Sequence, residues 1–401
     1  MLRGKKIILG VTASIAAYKA SFLTRLLIKA GAEVKVVLTP AARDFVTPLT
    51  LSTLSKNPVH IHFTHEEDGG LWTNHVDLGL WADLMIIAPA TSNTLAKMVS
   101  GTCDNLLMGV YLSAKCPVFV APAMDLDMYA HPSTQSNLKA LESYGNLVFP
   151  SGTGELASGL SGEGRMAEPE EIVEYLEKYL EDKAPLKGQN VLINAGPTHE
   201  PIDAVRFIGN HSTGKMGHAL AAEAVSLGAN VTLVLGPTSV PFDFTGMEVV
   251  KVQTAAEMHD AMTERFNNAH ITICSAAVAD FRPANAADHK IKKDGGVPKI
   301  ELEPTVDILR SLGQAKKADQ RLIGFALETQ NEKEYAMGKL EKKNLDAVVM
   351  NTLNDAGAGF GHDTNKVYVY SSDGQWKNLE MASKPQVARL LWKHFTTLFT
   401  L

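Results

Sequence analysis

An alternation of short apolar runs with stretches of helical spacing, repeated along the whole chain, constrains its fold more than any other feature. KKIILGV (5–11), EVKVVLT (33–39), ADLMIIAPA (82–90) and PVFVAPA (117–123) are apolar runs of strand length. The segment SIAAYKASFLTRLLIKAG (14–31) between the first two has helical periodicity and ends at Gly31. Strands of this kind, separated by helices, predict a parallel sheet covered on both faces. EEIVEYLEKYLEDK (170–183) is an amphipathic helix that closes the series, and APLKGQN (184–190) reads as a linker. A second series follows, with strands at NVLINAG (190–196), ANVTLVLG (229–236), ITICSAA (271–277), RLIGFAL (321–327) and DAVVMN (346–351). KVYVYSSDGQWKNLE (366–380) reads as a β-hairpin turning at Asp373–Gly374. The two series share no repeat. The 401 residues therefore predict two unlike α/β domains, over 1–183 and 191–401.

Composition narrows the function classes. A net charge of −6 argues against general nucleic-acid or membrane-surface binding, while leaving room for local basic clusters. Cys103, Cys116 and Cys274 have spacings that suit neither a disulfide framework nor a zinc site. The start, MLRGKKIILGV, is too short an apolar run for a signal peptide, and no segment approaches the roughly 20 apolar residues of a membrane span. The expected compartment is the cytoplasm.

In open α/β sheets, ligands sit beyond the carboxyl ends of the strands. Three strand ends in the first half are polar. GVTASIAAYK puts Thr12 and Ser14 at a helix start, where hydroxyls and free N–H groups can hold a phosphate. APATSNTLAKM puts Ser92, Asn93 and Thr94 at another, although an ordinary N-cap would look the same. APAMDLDMY repeats the layout with Asp125. No GxGxxG is present, so a mononucleotide is favoured over a dinucleotide. His75 precedes the strand at 84–88 and is a candidate base, a lone histidine being more often structural. ELASGLSGEGRMAEPEE (155–171) spends Gly159, Gly162 and Gly164 on one loop, which reads as a flap over a site or as a plain surface connection.

With GVTASIAAYK, the His75 segment, PATSNT, PAMDLDMY and GEGRM, residues 4–180 resemble the flavin-containing cysteine decarboxylases that act on phosphopantothenoylcysteine. The resemblance implies a flavodoxin-like, FMN-binding domain, with FMN held by Ser14, Thr39, Phe45, Ser92, Asn93 and Thr94 and with His75 at the substrate. It implies oxidation of the thiol-bearing carbon to a thioaldehyde, loss of carbon dioxide, and re-reduction of the resulting enethiol. Two positions depart from the family pattern. Ser158 stands where the flap usually carries a cysteine acid, and a hydroxyl is a far weaker acid than a thiol. Asp125 stands where an asparagine usually contacts the substrate carboxylate; either it is protonated or the substrate is held differently. An active variant is the favoured reading, and a non-catalytic flavin module the alternative.

In the second half, NAGPTHEPIDAVRFIGNHSTGKMGHALA (194–221) is a strand, a polar loop and a helix start; Walker A spacing is absent, with Met216 where Ser or Thr would stand. Asp280, Arg282 and the basic run Lys290, Lys292 and Lys293 follow the strand end at 271–277. A lysine run of this kind is usually just solvated surface. Lys339 and Lys343 share a helical face. Cations gathered at strand ends suit a triphosphate and a phosphorylated substrate.

AGPT, RFIGNHSTGKMG, AAVADF, KIKK, GFALET and KKNLD make residues 188–400 resemble the phosphopantothenate–cysteine ligases. The resemblance implies a Rossmann-like nucleotide-binding domain in which CTP, with Mg2+, activates 4′-phosphopantothenate as an acyl cytidylate that L-cysteine then attacks. Cys274, Ser275, Ala276, Asp280, Lys290, Val306, Asp307, Ile308, Leu309, Phe325, Lys339 and Lys343 would bind the nucleotide, and Asn210 would stabilise the acyl intermediate. Thr305–Val306 stands where the family often has Asn-Pro. The fused order matches the bifunctional enzymes of coenzyme A biosynthesis and implies a homo-oligomer, with a dodecamer as one possible size. The metal ligands are left open.

Overall fold

Leu84–Ala90 is buried along its whole length, as a strand covered on both faces must be. It lies inside a six-stranded parallel sheet ordered Val59–His60, Glu33–Leu38, Lys6–Val11, Leu84–Ala90, Val118–Pro122, Leu147–Val148. The chain is described from a computed structural model over residues 1–65, 71–155, 159–292, 299–328, 332–352 and 362–401. Alternate side chains of the central strands feed two cores. Ile7, Leu9, Ile86 and Phe119 pack with Leu23 and Leu27 on one face, and Ile8, Ile87 and Val120 with Leu95 and Leu107 on the other. This is the two-sided burial that the apolar runs predict.

The second sheet is ordered Met247–Lys251, Asn230–Leu235, Asn190–Ala195, Ile271–Cys274, Arg321–Glu328, Ala347–Thr352, Thr364–Ser371, Trp376–Ser383. Its first six strands are parallel and the last two antiparallel. The expected hairpin at 366–380 is this antiparallel pair, extended at both ends. Helices Lys215–Ser226 and Lys384–Leu398 cover one face, and Ala255–Phe266, Ile308–Ala315 and Glu332–Lys342 the other.

The chain divides into units Met1–Asp182 and Lys183–Leu401. The stretch expected as a linker, 184–190, belongs to the second unit. Leu186 is fully buried there and its N–H donates to Leu227 O at 3.0 Å, while Asn190 begins a strand. The helix expected over 14–31 is a 3-10 turn, Ile15–Tyr18, followed by an α-helix, Lys19–Lys29.

The glycine-rich loop also differs from expectation. Gly152–Glu155 pairs antiparallel with Ser161–Arg165, so the flap is a β-hairpin. Its second strand is seated by Met124, whose N–H donates to Gly164 O at 3.0 Å. Gly164 has φ +130, and a Cβ there would stand 2.6 Å from Met124 O. Both facts require glycine.

Candidate functional site

The strand order of the first sheet reverses between Lys6–Val11 and Leu84–Ala90, where the crevice of an open α/β sheet lies. Ser14 follows the first of these strands and Ser92 the second. Thr39 follows the neighbouring strand Glu33–Leu38 on one side, and Asp125 follows Val118–Pro122 on the other. Four sequence candidates therefore stand in order along one sheet edge: Thr39, Ser14, Ser92, Asp125.

Thr12 ties the two central strand ends together. Its hydroxyl donates to Pro89 O at 2.8 Å and accepts from Thr91 N at 3.2 Å. Ser14 caps its 3-10 turn by accepting from Ala16 N at 3.2 Å, which leaves its hydroxyl proton to donate elsewhere. Thr91 caps the helix Ser92–Ser100, accepting from Thr94 N at 3.4 Å, so Ser92 and Asn93 occupy its first turn. Ser92 Oγ lies 3.4 Å from Thr134 Oγ1. Thr94 is buried and accepts a hydrogen bond from Thr91 Oγ1, a capping role that the resemblance does not describe. Phe45 closes a 3-10 turn that begins after Thr39 and is 42 % exposed, an aromatic face open to a ligand. Hydroxyls, first-turn N–H groups and an exposed ring fit a phosphorylated isoalloxazine such as FMN.

Asp125 caps the helix Leu126–Ala130, its Oδ1 accepting from Leu126 N at 2.7 Å. That helix supports the flap: a Cβ on Gly162 would meet Leu126 Cδ1 at 2.5 Å. Flap and Asp125 therefore share one support. Ser158 lies outside the described residues.

His75 begins the helix His75–Trp81, and its neighbour Asn74 caps that helix. Its ring makes edge contacts with Phe63 and Trp72, at centroid distances of 5.6 and 5.8 Å. Its Nδ1 is buried with no hydrogen-bond partner among the described residues. No hydrogen bond or ring contact joins it to Ser14, Ser92 or Asp125, so a single copy does not bring His75 to the other candidates by direct contact. An imidazole nitrogen left unpaired inside an aromatic clamp is costly unless a ligand completes it.

In the second unit a cavity of about 620 Å³ crosses the carboxyl edge of the sheet. Every nucleotide candidate except Lys290 lines it, and so does Asn210. Asn210 Nδ2 donates to Ala277 O and Val278 O, both at 3.1 Å, fixing its amide against the loop after Ile271–Cys274. Asn194, which the resemblance did not include, orders the same loop. Its Oδ1 accepts from Ala276 N at 2.9 Å and its backbone O accepts from Ser275 Oγ at 2.6 Å. Lys343 Nζ pairs with Asp307 at 2.9 Å. Cys274 is buried, and that burial pushes its thiol up to about 12, so at neutral pH it is a protonated wall rather than a nucleophile.

Lys290 is exposed on a loop. That loop is gripped at Ile291: Asp203 Oδ2 accepts from Ile291 N at 3.1 Å, and Arg206 donates to Ile291 O at 3.1 Å. Arg206 and the backbone N–H groups around it also hold the Asp203 carboxyl well below the usual carboxylate range. Lys293 lies outside the described residues. Among the described residues no group of three or more His, Cys, Asp or Glu is placed to hold a metal ion, and no helix is long and apolar enough to cross a membrane.

Two families match, one on each unit. Residues 1–181 match the flavoprotein family, and residues 186–398 match the C-terminal domain family of DNA/pantothenate metabolism flavoproteins. The coenzyme A biosynthesis bifunctional protein CoaBC of Bacillus subtilis strain 168 is 46% identical over 390 residues, covering 97% of this chain and 96% of that protein. The chain belongs to the CoaBC family. Within it, the Escherichia coli K12 CoaBC is 41% identical over 99% of this chain and 98% of its own length. A protein from an unknown prokaryotic organism, named cysteine/cysteine sulfinic acid decarboxylase, is 52% identical over 88% of this chain and 99% of its own length. Both sites described above thus lie in units that the CoaBC family carries together.

Proposed function

We propose that the chain catalyses two consecutive steps of coenzyme A biosynthesis: ligation of 4′-phosphopantothenate to L-cysteine, then decarboxylation of the phosphopantothenoylcysteine formed. The observation that carries this reading is the cavity in the second unit, lined by Asn210 and by all the nucleotide candidates but one. Its volume of about 620 Å³ suits a nucleotide with part of a second substrate.

A carboxylate is a poor acyl donor, so it must first be activated. In this reading its oxygen attacks the α-phosphorus of CTP, diphosphate leaves, and the amine of cysteine then expels CMP. Lys339 and Lys343 supply positive charge for the phosphates. Lys343 is drawn away from Asp307 as the anion arrives. Asn210, anchored through its Nδ2, presents its amide oxygen to the attacking amine. Magnesium fits this donor set, because it is commonly bound through one or two carboxylates and the substrate's own phosphates, and Asp280 and Asp307 line the cavity.

In the first unit, FMN fits the edge formed by Thr39, Phe45, Ser14 and the Ser92 helix start, and when bound it supplies hydride acceptance and return. Ser14 and Ser92–Asn93 hold its phosphate and orient the ring, His75 handles a proton at the substrate through its unpartnered Nδ1, and the hairpin excludes water. A homo-oligomer, implied by the family resemblance, and a cytoplasmic location belong to this reading.

A second reading of the first unit is favoured by the 52% identical relative named for cysteine and cysteine sulfinic acid. On that reading the decarboxylase acts on free cysteine-type substrates. Carbon dioxide release is to be compared across phosphopantothenoylcysteine, cysteine and cysteine sulfinic acid, alongside CTP-dependent ligation. Release from phosphopantothenoylcysteine together with CTP-dependent ligation is expected; release from the free amino acids alone would sink the two-step reading.

A further inference from the structure

The cavity of the second unit has two sides. Ile308, Leu309, Lys339 and Lys343 reach it from the sheet face covered by the helices Ile308–Ala315 and Glu332–Lys342. The opposite side is lined by Lys215, Met216, Asn351, Asn365 and Lys384; the first two fall in the RFIGNHSTGKMG motif, but the family resemblance gives none of the five a role.

Lys215 and Lys384 are the first residues of the two helices that cover the other sheet face. Both helices start at the carboxyl edge of the sheet and run side by side, with Trp392 Nε1 donating to Leu220 O at 2.9 Å. Two helix N-termini, each worth about half a positive charge, therefore open at one place together with two ammonium groups. Lys384 is only 7 % exposed, and its Nζ donates to His362 O at 2.5 Å. Burial first, and the nearby Lys215 second, hold it below the ordinary lysine value. Keeping two ammonium groups this close is unfavourable without an anion.

One anion is already there. Asp363 Oδ1 lies 2.6 Å from Lys215 Nζ, on a side chain 83 % exposed. A carboxylate this exposed is held weakly and is readily exchanged. Two amides complete the setting. Asn351 Oδ1 is buried with no partner among the described residues, and Asn365 Nδ2 faces the Met216 sulfur, a weak acceptor, at 3.9 Å. An amide's two ends are told apart only by their partners, so Asn351 can turn an N–H towards a phosphate oxygen. Asn365 is oriented by Lys366 N donating to its Oδ1 at 3.1 Å and offers its Nδ2 as it stands.

We propose that Lys215 and Lys384 hold the diphosphate end of the nucleotide during ligation, and that Asp363 is the counter-ion it displaces. The proposal rests on the ligase reading above. When the substrate carboxylate attacks the α-phosphorus, the bond from that phosphorus to the bridging oxygen breaks and its electron pair departs with the diphosphate. Negative charge grows on the leaving group, where these cations stand. A phosphate monoester shares the same chemistry, but two ammonium groups and two helix ends match the more highly charged diphosphate.

The test is calorimetric titration of inorganic diphosphate, CMP and 4′-phosphopantothenate into the full chain and four variants. Lys384→Gln and Lys215→Gln should each weaken diphosphate binding by roughly tenfold, the loss of one charge-assisted contact. Lys384→Arg should recover part of that loss. Asp363→Asn should bind diphosphate several-fold more tightly, a gain that misfolding cannot produce. CMP and 4′-phosphopantothenate should change little in all four. Unchanged diphosphate affinity in both Gln variants, no gain in Asp363→Asn, or an equal loss for 4′-phosphopantothenate each overturns the assignment. Ligation by the wild type with CTP is scored separately, so a failed ligase reading and a failed diphosphate subsite give different results.

Discussion

Thr12 and Pro89 are joined across the point where the first sheet reverses its order, the threonine hydroxyl donating to the proline carbonyl at 2.8 Å. The same oxygen accepts from Thr91 N, so one buried side chain fixes the spacing of the Ser14 and Ser92 helix starts. Thr12→Val keeps the shape but leaves Pro89 O and Thr91 N without this partner. A loss of about 1–3 kcal/mol is expected in urea unfolding, with weaker flavin retention. Unchanged stability and full flavin content would mean that the spacing is set elsewhere.

Ser14→Asp places a carboxylate at the helix start expected to hold the FMN phosphate. Purified wild type is expected to carry flavin absorbance, and this variant to lose most of it. Full retention would move the phosphate to another strand end.

In the ligase, Asn210→Asp is expected to let an acyl cytidylate accumulate, because the second half-reaction suffers more than the first. Lys290→Gln separates two views of the basic loop. Lys290 does not line the cavity, but its neighbour Ile291 is held by Asp203 and Arg206. Impaired activation of phosphopantothenate is expected. Wild-type activation in this variant would make Lys290 part of a solvated run.

His75→Asn should abolish carbon dioxide release, whereas Ser158→Ala should leave it and lower only the yield of 4′-phosphopantetheine, since carbon dioxide departs before the last proton is needed. Ser158→Cys should keep or raise that yield. A mass-resolved product assay reads all three. A wild-type product two mass units lighter than phosphopantetheine would place the deficit at the serine, and normal product from Ser158→Ala would remove its hydroxyl from the mechanism.

Lys384 gives diphosphate binding a pH dependence. Its folded value lies below that of an ordinary lysine, so on raising the pH it loses its charge before a solvated lysine would. Lys215 disfavours its charge, while Asp363, held ionised by Lys215, favours it. Diphosphate affinity is therefore expected to fall on the alkaline side earlier than for a surface site. Lys384→Arg should move that fall to higher pH, because a guanidinium stays charged. Titrations across the alkaline range check both curves.

Much of this architecture is legible in the sequence for a plain reason. Runs such as LMIIAPA are too apolar to face water on either side, and a strand buried on both faces belongs inside a parallel sheet. The strand ends carrying Ser14, Ser92 and Asp125 follow from that placement. Other features depend on partners remote in sequence. Leu186 looks like linker until Leu227 closes over it. The strands Gly152–Glu155 and Ser161–Arg165 lack the alternation that announces a hairpin, because glycine positions set by Met124 and Leu126 shape them. Lys215 and Lys384 face one cavity only because two helices start at the same sheet edge. Asn194 sits inside an apolar strand, where nothing in its neighbours marks the loop that it orders.

The hairpin over the Leu126 helix divides its labour along its length. Its second strand is specified most strictly at Gly164, where φ +130 and the backbone Met124 O exclude a side chain, whereas a Cβ at Gly162 would press on the end of the Leu126 side chain. Gly159, ahead of that strand, has open space around it but a φ of +82, so its backbone also favours glycine. Mutational drift is therefore channelled. Glycine is held in place by backbone geometry at Gly159 and Gly164, whereas Ser161 and Glu163 between them are exposed, so the side chains this strand presents can change over generations without a change of fold.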